Sequence, residues 1–241
     1  MPEGRQIQEE EIMNIFTFWE GPMPAYIDLC MRTWKQPYTV LNYENLHNYT
    51  DLPIDKIKRF SLPQIADCVR VHVLRDQGGY WLDADTIMVT GELPDTDMVG
   101  DPETRMNTIG LLYSEPHSKM FELWADYQDL IINSTGFRGG SYHWSLLGNS
   151  FTDEYVKTHR DIRIYPVRDY WPETYMVEEN MTRFNKYVRF YFDEDKQLQD
   201  IRPTDLLMLH NSWTPLWFKD FTAEEALYNG CTLSNILREV V

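Results

Sequence analysis

Asp83 and Asp85 stand two residues apart behind Gly78-Gly79-Tyr80-Trp81-Leu82, a short apolar run that opens on a glycine pair. Side chains two apart on a strand point to the same face. Both carboxylates can therefore converge at the strand's carboxyl end, where open α/β sheets bind ligands. Two carboxylates there make a hard-oxygen site for Mg2+ or Mn2+, and Mg2+ completes its octahedron with waters and substrate phosphates. Such a cation inverts the local charge and lets an acidic protein hold a diphosphate. By itself, Asp-x-Asp equally opens an ordinary turn.

Upstream, Asp67 and Arg70 lie at i, i+3 and share a helix face. One reading is a solvated ion pair. The other is an Asp that accepts sugar hydroxyls while the Arg neutralises phosphate charge.

These groups need elements to hold them. Leu62, Ile65, Ala66, Val69, Val73 and Leu74 follow the helical i, i+3, i+4 rule. Ser61 is placed to cap that helix, Pro63 falls in its first turn, and Gly78-Gly79 stops it just before the strand at 80–82. Residues 12–19 and 37–42 read as strands flanking a helix at 24–34. Strand alternating with helix predicts an α/β fold with a largely parallel sheet. The second half is less regular. A helix is expected over 120–131, a Gly-, Ser- and aromatic-rich loop or short helix over 134–150, and strands over 161–167 and 184–193, with Tyr187–Asp193 the better part of the last. A short strand at 206–209 runs into His210-Asn211-Ser212-Trp213, and the tail from Thr222 reads as helix.

Composition removes several classes. The 241 residues carry a net charge of −16, against non-specific nucleic-acid binding or a polybasic membrane contact. With 8 Trp, 15 Tyr and 11 Phe the chain has material for a folded core. Cys30, Cys68 and Cys231 form no CxxC pair, which speaks against a zinc site or a disulfide scaffold and favours a reducing compartment. No signal peptide and no apolar run of about 18 residues is present, so a cytoplasmic protein without an integral membrane segment is expected. No GxGxxG follows the first strand, against a nucleotide-binding dehydrogenase. A glycoside hydrolase and a non-catalytic sugar- or nucleotide-binding protein remain as rivals. Two Asp at i, i+2 point at one ion rather than across a sugar ring, which disfavours the hydrolase.

The stretch Ala66-Asp67-Cys68-Val69-Arg70, Leu74, then Gly78 through Asp85 resembles the DXD sugar-nucleotide signature of glycosyltransferases in the capsular polysaccharide synthesis and Och-type mannosyltransferase group. The glucosyltransferase domains of large clostridial toxins share it. Asp67 and Asp83 are 16 residues apart, the spacing of that pattern, although Ala66 replaces its frequent Ser. Ile15 to Gly21 resembles the group's first strand, and His210 to Trp213 its C-terminal segment. The resemblance implies a single GT-A domain over 1–241, with residues 1–100 the nucleotide-sugar half and 101–241 the acceptor half. It implies Asp67, Arg70 and Asp85 as catalytic residues and Asp83, Asp85 and His210 as holders of Mn2+ or Mg2+. Phe18, Trp19, Asp67, Arg70, Asp83, Ala84, Asp85, Asn211, Ser212 and Trp213 would bind the donor, although at least one of Phe18 and Trp19 is expected to be plain core. The implied reaction is retaining transfer from a UDP-sugar, or else a GDP-sugar, to a glycan hydroxyl. No base is implied. Asn107, Tyr142, His143 and Trp144 are acceptor-side candidates for which a structural role is the simpler reading, and Gly139-Gly140 is a flexible loop or a turn.

Overall fold

The structure, a computed structural model, describes residues 14–100, 107–134, 143–166, 171–176, 180–201 and 204–241. Tyr142 and Gly139-Gly140 lie outside the described residues. The strands are β1 (Ile15–Phe18), β2 (Tyr38–Leu41), β3 (Gly79–Leu82), β4 (Thr86–Met88), β5 (Met98–Gly100), β6 (Asn107–Ser114), β7 (Ile164–Pro166) and β8 (Leu206–Met208). The helices are α1 (Ala25–Arg32), α2 (Ile54–Ile57), α3 (Leu62–Gln77), α4 (Lys119–Asn133), α5 (Asn149–Thr158), α6 (Arg183–Val188), α7 (Leu216–Lys219), α8 (Ala223–Tyr228) and α9 (Thr232–Val240).

Six strands form one sheet in the order β2-β1-β3-β6-β5-β7. The α/β class holds, and the sheet is mixed. β1 runs parallel to β2 and β3, and β5 to β7, while β6 is antiparallel to both β3 and β5. Strand alternation sends Ile15, Tyr80 and Leu82 into an apolar layer with α1, α8 and α9. Phe16, Phe18 and Trp81 enter the opposite layer with α3 and α4.

The element that leads to the carboxylates forms for local reasons. Ser61 and Gln64 make a reciprocal capping box at the start of α3, with Pro63 in the first turn. At its end Gly78 and Gly79 have φ of 66° and 87°, a region that disfavours other residues. Space excludes a side chain there too: a Cβ on Gly79 would lie 2.5 Å from the Asn14 carbonyl oxygen. The chain therefore reverses from α3 directly into β3 beside β1.

One expected strand is helical. Residues 184–193 form α6 followed by a wide π-type turn at Arg189–Asp193. Tyr187, Phe190 and Tyr191 are all buried, at helical i, i+3, i+4 spacing, and the Thr182 hydroxyl accepts from the Asn185 N–H as an N-cap. The aromatic, β-prone composition yields to this face and cap. The strand expected over 161–167 is the short β7, and 206–209 contains β8.

A separate two-stranded ladder pairs β4 with β8, Thr86 opposite Met208 and Met88 opposite Leu206. Since β4 follows Asp85 and β8 precedes His210, this ladder brings the two distant signature segments together. Among the described residues no helix is long and apolar enough to cross a membrane.

Candidate active site

The Asp-Ala-Asp segment is a tight turn rather than a continued strand. Asp83 N–H still donates to the Gly110 carbonyl of β6 at 2.8 Å, and Thr86 N–H closes the turn on the Asp83 carbonyl at 2.9 Å. Ala84 is buried inside it. The turn, not strand alternation, brings the Asp83 charge within electrostatic reach of the Asp85 carboxyl.

Arg70 is buried, and each of its nitrogens is engaged by protein. Nη2 lies 3.2 Å from Asp67 Oδ1 and 3.3 Å from Asp83 Oδ1. Nη1 donates to the Ile109 carbonyl, and Nε to the Ala66 carbonyl at 3.4 Å. The guanidinium also sits 5.0 Å over the Trp81 ring, whose Nε1–H donates to Asp83 Oδ1 at 2.9 Å. The arginine thus ties the helix carboxylate to the turn carboxylate.

Asp67 is buried, and burial pushes its pKa up to about 7. Arg70 opposes that rise and the Asp83 charge adds to it. Gly148 makes room for it, since a Cβ there would lie 2.7 Å from Asp67 Oδ2. Gln128 donates to the Asp67 backbone carbonyl at 3.0 Å.

Asp85 is wrapped by the strand end beyond β8. Asn211 N–H donates to Asp85 Oδ2 at 2.8 Å, and Leu209 N–H to the Asp85 carbonyl at 3.0 Å. Asp85 keeps some solvent exposure. The protein packed around it still lifts its pKa to about 7, with the Asp83 charge as the next cause. The Asn211 side chain is held in turn: its Oδ1 accepts from Tyr26 Oη at 2.5 Å.

His210 does not complete a three-ligand cage with Asp83 and Asp85. Among the described residues no three His, Cys, Asp or Glu side chains converge to hold a metal. Its Nε2 faces Arg183 Nη2 at 3.3 Å, and its ring stacks near Trp171 and lies 4.1 Å from the Trp213 ring. Burial and then the Arg183 charge lower its pKa to about 3, so the imidazole is neutral. Ser212 is exposed and Trp213 is half-buried. The donor set near the turn is then oxygen only, from Asp83 and Asp85, which fits Mg2+ or Mn2+ better than a softer ion. Two adjacent carboxylates, one with a raised pKa, have the charge chemistry that a divalent cation relieves.

At the end of β1, Phe18 is core, packed edge-on against Tyr43 at 5.8 Å. Trp19 is half-buried, its backbone N–H tied to the Leu41 carbonyl at 2.9 Å. On the expected acceptor side, Asn107 accepts from Thr152 Oγ1 at 2.7 Å and donates to Asp153 at 3.0 Å, a bond set that fastens β6 to α5. His143 pairs with Ser145 at 2.7 Å, while the Trp144 side chain is exposed.

Trp81, Gly148 and Arg183 were not singled out by sequence. Trp81 had a usable signal, since it lies two residues before Asp83 on the same strand face. Gly148 and Arg183 had none: their partners are remote in sequence.

The sheet and the β4–β8 ladder thus bring Asp67, Arg70, Asp83, Asp85 and Asn211 to one turn. A family model described as capsular polysaccharide synthesis protein matches residues 2–202, and the chain belongs to that family. That membership places it among the glycosyltransferases. No curated protein matches the chain. Among solved structures, the PaToxG glycosyltransferase superposes with a TM-score of 0.40 at 13% identity, over 61% of this chain and 68% of that one.

Proposed function

We propose that the chain transfers a sugar from a nucleoside diphosphate sugar, a UDP-sugar before a GDP-sugar, to a hydroxyl of a glycan acceptor, with Mn2+ or Mg2+ at Asp83 and Asp85. The observation that carries this reading is the convergence of two remote segments on one turn. Arg70 joins Asp67 to Asp83, and Asn211 closes over Asp85. A cation held there would neutralise charge that develops on the departing diphosphate. Asp67, fixed by Arg70, would accept donor-sugar hydroxyls and orient the anomeric carbon. With its pKa lifted to about 7, it exchanges between ionised and protonated forms near neutral pH, and the protonated carboxyl also donates a hydrogen bond. Trp19 would face the base and Trp213 the diphosphate. Retention of anomeric configuration belongs to this reading, and no base is assigned.

The test is a thermal-shift panel of UDP, GDP, CDP and their common sugar conjugates, each with and without Mn2+. A ligand that binds only the native state at 100 times its Kd stabilises it by about 2.7 kcal/mol. A metal-dependent shift with one nucleotide supports the reading and names the donor base. An absence of shift with every nucleotide and metal removes it.

A further inference from the structure

The proposed donor brings two phosphates to an acidic protein, and Arg70 has little left to offer them. Its nitrogens are already spent on Asp67, Asp83 and the carbonyls of Ala66 and Ile109. A second guanidinium stands nearby under different conditions. Arg183, the first residue of α6, is exposed. Its guanidinium lies 3.9 Å over the Trp171 ring and 5.6 Å from that of Trp213, and Nη2 sits 3.3 Å from His210 Nε2. Among the described residues it has no carboxylate in ion-pair range and that one hydrogen bond, out of five N–H donors. Two indoles therefore hold a planar cation while most of its donor fork is unspent. Burial by its surroundings lowers the Arg183 pKa, the buried Glu173 carboxyl opposes that fall, and the two form no ion pair.

The location matters as much as the free donors. His210, which Arg183 touches, is the neighbour of Asn211, whose N–H binds Asp85. Leu209, on the other side of His210, donates to the Asp85 backbone. The cation is thus attached to the same short segment that closes over the Asp-Ala-Asp turn. We propose that Arg183 is a diphosphate-binding residue of this site, its guanidinium presented by Trp171, Trp213 and His210 to the phosphate oxygens of the nucleotide sugar. The inference rests on the transferase reading above. Planarity is essential to it, because the guanidinium both stacks on indole and pairs in bidentate fashion with phosphate.

The experiment is calorimetric titration of wild type, Arg183→Ala and Arg183→Lys with inorganic pyrophosphate, UDP and uridine, all with Mg2+. Arg183→Ala is expected to weaken pyrophosphate and UDP about tenfold or more, the range for hydrogen bonds to charged groups, and to leave uridine unchanged. Arg183→Lys, which keeps the charge without the planar fork, recovers only part of the loss. Equal UDP and pyrophosphate affinity in wild type and Arg183→Ala overturns the inference and leaves the transferase reading standing. An equal loss for uridine overturns it as well, since that would show a structural role. Pyrophosphate binding that depends on Arg183, with no binding of UDP, upholds the anion site and removes the UDP-sugar assignment. Failure of the wild type to bind pyrophosphate overturns the inference.

Discussion

The Asn211 backbone N–H donates to the Asp85 carboxylate at 2.8 Å across 126 residues of sequence. That bond is why Asp85 is an enclosed group and not an open turn residue. It rests on the β4–β8 ladder, so the site is assembled only when the C-terminal third has docked.

Asp85→Asn keeps an oxygen for the Asn211 N–H and removes the charge. Because the wild-type carboxyl has its pKa raised to about 7, it is ionised at pH 8, and that buried charge costs the native state stability. Without added metal the variant is expected to melt at or above the wild type at that pH. Its Mn2+-dependent nucleotide shift should disappear. Differential scanning fluorimetry reads both, and a retained Mn2+-dependent shift would count against Asp85 as a metal holder.

Trp81→Phe preserves a buried ring and deletes the indole N–H that Asp83 accepts. A hydrogen bond to a charged group contributes about 1.5–3 kcal/mol. Stability is expected to fall by up to that amount, and metal affinity to fall with it as Asp83 loses its orientation. Chemical denaturation and Mn2+ titration by electron paramagnetic resonance check the two arms. If metal affinity stays level, Asp83 is positioned by Arg70 alone.

Gly148→Ala would place a methyl 2.6 Å from Ile109 Cδ1 and 2.7 Å from Asp67 Oδ2. Overpacking of this kind costs about 1–3 kcal/mol. The variant is expected to lose that stability and to turn over donor more slowly than the wild type. Urea unfolding and donor-hydrolysis assays read the two effects, and wild-type turnover in Gly148→Ala would detach Asp67 from catalysis.

Glu173 is fully buried, without a hydrogen-bond partner on either oxygen among the described residues, and burial lifts its pKa from 4.5 to about 7. The native state therefore holds a proton that the unfolded chain releases between those two values. Stability conferred below about 4.5 is lost as pH rises through about 7. Asp67 and Asp85 act in the same direction, so Glu173→Gln should flatten this decline rather than abolish it. Melting temperatures from pH 4.5 to 8 in chelator give the slopes, and parallel curves for the two proteins would mean that Glu173 is ionised throughout.

Local structure was legible wherever covalent neighbours set it. Ser61, Gln64 and Pro63 start α3, the positive-φ glycines end it, and β3 follows with nowhere else to go. The Asp67–Arg70 pairing needed only an i, i+3 helix relation. Tyr187–Asp193 reads as strand in sequence because aromatic residues favour extended backbone on average, and it is helical in the structure. The burial of Tyr187, Phe190 and Tyr191 on one helical face overrides that preference.

The sequence by itself determined the α3–β3 unit and the apolar strand ahead of His210, since each follows from capping, backbone sterics and periodicity within a few residues. Only the tertiary structure decided that Arg70 spends its donors inside the protein, that His210 turns to Arg183 and that Asn211 closes over Asp85. Those relations depend on which strands pair and which layers pack. Pairing of that kind is a property of the whole chain's buried surface and hydrogen-bond satisfaction, which no local window contains.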